Sequence, residues 1–171
     1  MPDVRLIELA ERERIAFVEQ EIADYAVQQV RDAGWARDAA LERARAELTP
    51  VLERELAEAA EQGHELWSAL DSAGSCVGWL WVTPVDDAPA GSVFLEQITA
   101  AKTFRRRGYG RAMLATLEEL ARTGVDELRL TVFVGNKPAR RLYASAGYEQ
   151  LDDDGHQCRL RKRLTLASRQ G

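Results

Sequence analysis

The segment from Ser92 to Tyr148 changes its hydrophobic period repeatedly, and this constrains the fold more than any other feature of the chain. Ser92 to Ala100 reads as a long strand. The run Arg105-Arg106-Arg107-Gly108-Tyr109-Gly110-Arg111 breaks it, and Gly110 to Arg122 resumes as an amphipathic helix with Met113, Leu114, Leu117, Leu120 and Ala121 facing inward. Leu128, Leu130, Val132 and Val134 then alternate with Arg129, Thr131 and Phe133, the two-residue period of a strand with separated faces. Lys137 to Ala146 reads as a short helix, opened by Asn136 as its cap and closed by Gly147 in the left-handed position. Tyr148 to Leu151 and Cys158 to Leu164 make a last hairpin around Asp152-Asp153-Asp154-Gly155.

Upstream, Val4 to Leu9 reads as a short opening strand. A helix follows with Ile15, Val18, Ile22, Tyr25, Ala26 and Val30 on one face, stopped by Gly34. A second helical stretch, Arg37 to Gln62, carries Leu41, Ala44, Leu48, Leu52 and Leu56. Pro50 is expected to kink or split it, with Thr49 capping the second piece. Leu66 to Leu70 and Cys76 to Thr83 form a hairpin across Asp71-Ser72-Ala73-Gly74, with Trp79 and Trp81 on one face. A loop with Pro84, Asp86, Asp87, Pro89 and Gly91 follows, and its carboxylates are read as solvated. Helices, an antiparallel meander, then strand-helix-strand-helix-strand give a mixed α/β fold. At 171 residues the chain is long enough for one core and short for two, so a single domain is expected. Residues 1–64 are its mostly helical part, 65–164 its core and 165–171 a frayed tail.

Composition excludes several classes of function. A net charge of −5 and a pI near 5.2 argue against nucleic-acid binding. No apolar run approaches the roughly 20 residues of a membrane span, and the N-terminus lacks the plan of a secretion signal, so a cytoplasmic protein is expected. Cys76 and Cys158 form no spaced ligand set with His64 and His156, so no metal site is expected. Against the acidic background, Arg105, Arg106, Arg107 and Arg111 concentrate positive charge in one turn.

That turn has the physics of an anion cradle. The first N–H groups of a helix lack internal partners and carry the positive end of its dipole. Gly108 and Gly110 let an anion approach the backbone, and the arginines add charged donors. A tight strand-to-helix turn with solvated arginines is the plainer alternative. Met113 stands where a dinucleotide fingerprint needs its third glycine, and the Gly-Lys-Ser/Thr of a nucleotide-triphosphate loop does not occur here.

Arg105-x-x-Gly108-x-Gly110 after a strand resembles the Arg/Gln-x-x-Gly-x-Gly/Ala motif of the GCN5-related N-acetyltransferases. Asn136-x-x-Ala139-x-x-Leu142-Tyr143-x-x-x-Gly147-Tyr148 is similar to that family's second signature. The resemblance covers roughly Leu66 to Leu164. It implies acetyl-CoA as co-substrate and a central sheet splayed open between two parallel strands, Ser92 to Ala100 and Leu128 to Val134. Within that splay the pantetheine arm would pair with backbone groups of Ile98 and Ala100. The pyrophosphate would sit on the amides from Arg106 through Arg107, Gly108, Tyr109 and Gly110 to Arg111, with Arg105 leading into them. Asn136 would hydrogen-bond the pantetheine and Ala139 would give it room. Ala100 and Lys102 depart from the branched apolar residue and proline that relatives often carry.

Acetylating an amine poses a proton problem. A lysine-like amine with pKa near 10.4 is only about 0.1% neutral at physiological pH, and only the neutral form attacks a thioester. A carboxylate can take that proton, a donor can protonate the leaving sulfur, and a fixed backbone N–H near Thr99 or Ala100 can hold the oxyanion. Glu96 is the candidate base. It sits mid-strand, with Phe94 and Ile98 expected on the same face, and polyamine-type family members carry a Leu-Glu-Asp run where this chain has Leu95-Glu96-Gln97. An arginine-paired carboxylate on a solvated sheet face is the other reading. Tyr143, seven residues after Asn136 on the same helix face, is the candidate acid and a cofactor contact; an ordinary core tyrosine is its alternative. Direct transfer without an acyl-enzyme is expected, onto a small-molecule or peptide amine, with homodimerisation plausible from the family. The competing readings are a non-catalytic acetyl-CoA-binding regulator and an acyltransferase for protein lysines or N-termini. The acceptor site is expected from the N-terminal helices and the loop from Pro84 to Gly91, where Tyr25 and Trp35 are read as core.

Overall fold

The chain forms two units, one made of Met1–Glu8 with the chain from Glu65 onward, the other of Leu9–His64. The computed structural model describes residues 1–85, 91–121 and 124–164; Asp86, Asp87, Pro89, Arg122 and the tail after Leu164 lie outside the described residues. The element order is β1 (Val4–Glu8), α1 (Glu11–Asp32), α2 (Ala40–Glu61), β2 (Glu65–Asp71), β3 (Cys76–Pro84), β4 (Ser92–Ala100), α3 (Tyr109–Ala121), β5 (Glu127–Phe133), α4 (Lys137–Ser145), β6 (Glu149–Asp153) and β7 (Gln157–Arg163). No helix among the described residues is long and apolar enough to cross a membrane.

The first unit is a seven-stranded mixed sheet in the order β1-β2-β3-β4-β5-β7-β6. Its parallel pair, β4 with β5, matches Ser92 to Glu127, Val93 to Leu128, Phe94 to Arg129 and Leu95 to Leu130, and stops there. Beyond Leu95, β4 continues to Ala100 and β5 to Phe133 without pairing to each other. The sheet therefore opens at its centre, as the resemblance implied.

A β-bulge lies at that opening. Trp81 pairs with Gln97 and Val82 with Leu95, so Glu96 is an extra residue on β4. The bulge corrects one expectation. Val82 and Leu80 share a face of β3, so their partners Leu95 and Ile98 share a face although three residues apart. Phe94 pairs with Thr83 and so faces the other way from Ile98. The two-residue period fails because the bulge resets it.

One face of the sheet carries the core. Leu80, Val82, Leu95, Leu128, Leu130, Val132, Cys158 and Leu160 pack with Met113, Leu114 and Leu117 of α3 and with Tyr143 and Tyr148. Met113 and Leu114 are 0% and 1% exposed; burying each side chain fully contributes roughly 1.5–3 kcal/mol. Met113, Leu114, Leu117 and Ala121 are buried as expected on α3, whereas Leu120 is 49% exposed and Glu118 lies buried. Cys158 is buried and Cys76 only half-buried; both are free thiols.

The second unit is the helix pair α1 and α2. Ile22, Ala26, Ala40, Ala44 and Leu52 form its buried cluster, with Val18, Tyr25, Val30, Trp35 and Leu48 packed against them. Trp35 stands edge-on to Tyr25 with ring centroids 5.8 Å apart, and the Arg43 guanidinium lies 4.0 Å from the Trp35 ring. Helix α2 runs unbroken through Pro50, contrary to the expected split. A proline inside a helix costs about 3 kcal/mol; here Ala44 before it and Leu52, Leu56 and Ala59 after it are all buried and hold both turns in place. Thr49 caps nothing, and its Oγ1 is buried without a hydrogen-bond partner. Ile15 and Leu41 are exposed rather than part of the buried stripe.

Candidate active site

The elements around the open centre of the sheet bring the sequence-predicted residues together in three groups. The first is on β4. Glu96, pushed out by the bulge, is exposed, and its Oε1 accepts a hydrogen bond from Thr83 Oγ1 at 3.1 Å. Thr83 itself is 7% exposed, so a buried hydroxyl steadies an exposed carboxylate at the mouth of the opening. Sequence reading missed Thr83, whose place opposite the bulge depends on register. Ile98, Thr99 and Ala100 follow, half-buried, on the part of β4 that has left β5.

The second group is the turn between β4 and α3. A 3-10 turn at Lys102–Phe104 leads into Arg105, whose Nε donates to Ala100 O at 3.2 Å. Arg106 has φ 60° and Gly108 φ 85°, both left-handed, so the chain reverses twice before α3 begins at Tyr109. Gly108 is glycine because of that angle. A non-glycine residue at Arg106 in the same region stores strain of the kind held at ligand-binding turns. In the first turn of α3, the Ala112 amide bonds back to Gly108 O at 3.1 Å. The amides from Arg106 to Arg111 precede it, where a helix leaves its donors for outside partners. Arg105, Arg106, Arg107 and Arg111 are all exposed, and the Arg107 guanidinium lies 5.8 Å from the Phe104 ring. Arg111 is committed elsewhere through its side chain: Nη1 donates to Ser145 Oγ at 2.8 Å and Nη2 to Ser145 O at 3.1 Å. It ties the start of α3 to the end of α4 with two of the guanidinium's five N–H donors. Gly110 differs from Gly108: a Cβ there would meet Leu142 Cδ2 at 3.6 Å, an ordinary contact.

The third group is α4. Asn136 Oδ1 accepts from the Ala139 amide at 3.2 Å, the capping bond expected from the sequence. Seven residues on, Tyr143 is 7% exposed. The helix ends in a Schellman turn: Gly147, at φ 87°, donates to Ala144 O at 3.1 Å and Tyr148 donates to Tyr143 O at 3.0 Å. That turn folds Tyr148 back so its ring meets Tyr143 with centroids 5.5 Å apart. Burial pushes the Tyr143 phenol up to about 12. Burial, then the Glu118 carboxylate, drive the Tyr148 phenol higher still. Both are neutral donors at any ordinary pH.

The chain thus carries an exposed carboxylate on β4, a strained basic turn before α3 and a buried phenol on α4, in a sheet whose parallel pairing stops at Leu95. Among the described residues, no cluster of three histidine, cysteine or acidic groups is placed to hold a metal ion.

Comparison with known proteins agrees with this geometry. Residues 22–148 match the model of the acetyltransferase (GNAT) family. The chain is 31% identical over 129 residues to the "Uncharacterized N-acetyltransferase YycN" of Bacillus subtilis (strain 168), covering 75% of this chain and 81% of that protein. The crystal structure of YycN superposes with a TM-score of 0.66 over 88% of this chain and 94% of that one, at 28% identity. The PaiA N-acetyltransferase of Thermoplasma acidophilum, in complex with coenzyme A, gives 0.68 over 94% and 99% at 16% identity. The spermidine N-acetyltransferase of Vibrio cholerae, in complex with CoA and spermine, gives 0.65 over 96% and 97% at 14% identity. At these last two identities the likeness is one of fold. With the family model covering most of the chain and YycN matching at that identity, this protein belongs to the acetyltransferase (GNAT) family and is an N-acetyltransferase.

Proposed function

We propose that the protein transfers an acetyl group from acetyl-CoA directly to a primary amine within a ternary complex. The observation that carries the reading is the unpaired stretch of β4 beyond Leu95, with Glu96 bulged out at its start and the amides of Arg106 to Arg111 at its far end. An extended pantetheine arm fits an open strand edge between those points. Its pairing near Ala100 shares a carbonyl that already accepts from Arg105. The diphosphate lies on the amides of the turn, as anions do at helix N-termini. The coenzyme A complex of PaiA supports the choice of ligand.

Each of the chain's residues then has a task. Glu96, steadied by Thr83, receives the proton of the incoming ammonium, directly or through water. A backbone N–H at Thr99 or Ala100 holds the oxyanion. Asn136 orients the pantetheine with the part of its side chain that does not cap α4, and Ala139 leaves space beside it. Tyr143 donates a hydrogen bond to the leaving sulfur. Its phenol near 12 is a weaker acid than an alkyl thiol near 8.5, so full proton transfer would run uphill. The role that fits is a fixed dipole aimed at developing negative charge, with the proton finally drawn from water.

Thiol release from acetyl-CoA tests this, with a polyamine, the free amino acids, and lysine-containing and free-N-terminal peptides as acceptors. The expected result is turnover with at least one acceptor, reduced by about 10²–10³ in kcat by Tyr143→Phe, the cost of losing one preorganised donor. Glu96→Gln should be slow at neutral pH and recover as pH rises, because the amine then loses its proton unaided. Coenzyme binding without turnover for any acceptor would leave a binding protein instead.

A further inference from the structure

A polar cluster lies under the two tyrosines, and the mechanism above makes no use of it. Glu118 of α3 is 7% exposed; its Oε2 accepts from Lys162 Nζ of β7 at 2.6 Å, and its Oε1 is buried without a hydrogen-bond partner. Tyr148 is equally buried, and its hydroxyl interacts with the Glu118 carboxylate through a contact too loose for strict hydrogen-bond geometry. Lys162 Nζ stands 5.8 Å from the centroid of the Tyr148 ring, and that ring stands 5.5 Å from the Tyr143 ring. A buried carboxylate, a buried phenol and a half-buried lysine thus stand together against the hydrophobic core.

Stability does not account for such an arrangement. Glu118 is buried while the Lys162 side chain is 21% exposed, so the carboxylate loses solvation that one attraction barely restores, and an apolar residue of the same volume would hold the core at least as well. An unmet buried donor or acceptor adds a further cost. Groups kept at that cost against Tyr148, which itself packs on Tyr143, point to a service rendered to the Tyr143 phenol. The chain of contact is short: Lys162 anchors Glu118, the pair backs Tyr148, and Tyr148 packs on Tyr143 through both its ring and its amide.

We propose that Glu118, Lys162 and Tyr148 are positioning residues for Tyr143, fixing the direction of its hydroxyl and, through the Glu118–Lys162 pair, keeping a bare carboxylate from opposing the charge that develops on the leaving group. This rests on the reading of Tyr143 as the donor to sulfur. Electrostatics give the cluster a direction. Lys162 favours negative charge at a nearby phenol, Glu118 opposes it, and their close pairing offsets the two. Removing the cation alone leaves a bare buried carboxylate beside two phenols. That variant should therefore be the most damaging.

The test is a double-mutant cycle on the full chain, using the fastest acceptor of the panel named above. Tyr148→Phe, Glu118→Gln, Lys162→Met and Lys162→Arg are each made alone and with Tyr143→Phe. Expected for Lys162→Met and Tyr148→Phe is a fall in kcat between about tenfold and a hundredfold, the size of a displaced catalytic group. KM for acetyl-CoA should stay within about twofold, because a group acting only as charge develops does not contribute to ground-state binding. Lys162→Arg should restore most of the rate. In the Tyr143→Phe background the same changes should cost nothing further. Equal fractional losses in both backgrounds, a loss confined to KM, or full activity of Tyr148→Phe beside a slow Tyr143→Phe would each overturn the positioning role alone. Full activity of Tyr143→Phe, or turnover with no acceptor, would remove the donor reading and this one with it. Should the charge variants fail to fold, Tyr148→Phe, which removes a single oxygen, carries the test.

Discussion

The two glycines of the basic turn look alike in sequence and differ in what they require. Gly108 holds φ 85°, an angle at which any side chain is strained. Gly110 has no such angle, and a methyl group there would meet only Leu142 Cδ2 at 3.6 Å. Nothing within the protein demands glycine at 110, and glycine in a helix costs roughly 0.5–1 kcal/mol against alanine. A ligand pressed against the outside of that turn would demand it. Gly110→Ala should therefore leave the fold unharmed or raise its stability by up to about 1 kcal/mol while weakening coenzyme A binding tenfold or more. Melting curves and titration calorimetry on one preparation check both halves. A variant that binds as the parent does would move the diphosphate away from this turn.

At the scale of elements, α4 carries two duties on one residue. Asn136 Oδ1 caps the helix through the Ala139 amide, while its amide nitrogen remains for a ligand. The duties can be separated. Asn136→Ala loses the cap, a cost of about 1 kcal/mol, together with the ligand contact. Asn136→Asp keeps an acceptor at the cap but replaces the donor with charge. Both should raise KM for acetyl-CoA, and only the alanine variant should melt early; an aspartate variant with unchanged KM would confine Asn136 to capping. That such a cap was legible, and other features were not, follows from how local each signal is. The bounds of β4 and the closing turn of α4 were written in adjacent residues: the Ser92–Ala100 run, the Asn136 cap and Gly147. The bulge at Glu96 was written more faintly, in the three-residue step from Leu95 to Ile98 where a regular strand would place its next inward residue at Gln97. Pro50 misled because local propensity argues for a break, whereas buried residues on both sides of it keep α2 whole. The partnership of Glu118 with Lys162 spans 44 positions and obeys no period, so only the folded sheet reveals it. Thr83 beside Glu96 is hidden in the same way, set by strand register across a bulge.

For the whole molecule, the burial that keeps Tyr143 protonated also links the site to global stability. In the unfolded chain its phenol titrates near 10, and in the fold it is pushed up to about 12. Below pH 10 both states hold the proton and the contribution of the buried phenol is complete. Between pH 10 and about 12 the unfolded chain ionises while the folded one does not, so stability falls by about 1.4 kcal/mol per pH unit, or roughly 3 kcal/mol across the window. Tyr148 is raised for the same first cause and acts in the same direction. The lysines and arginines of the surface titrate there too, so the telling quantity is a difference between variants. Urea unfolding at about pH 8, 10 and 11 should show the parent losing more stability on the alkaline side than Tyr143→Phe, whose side chain has no proton to lose. Parallel losses in the two proteins would mean that the Tyr143 hydroxyl is hydrated in the free enzyme. Its value to catalysis would then have to come from closure around the bound coenzyme instead of from the core already built beneath it.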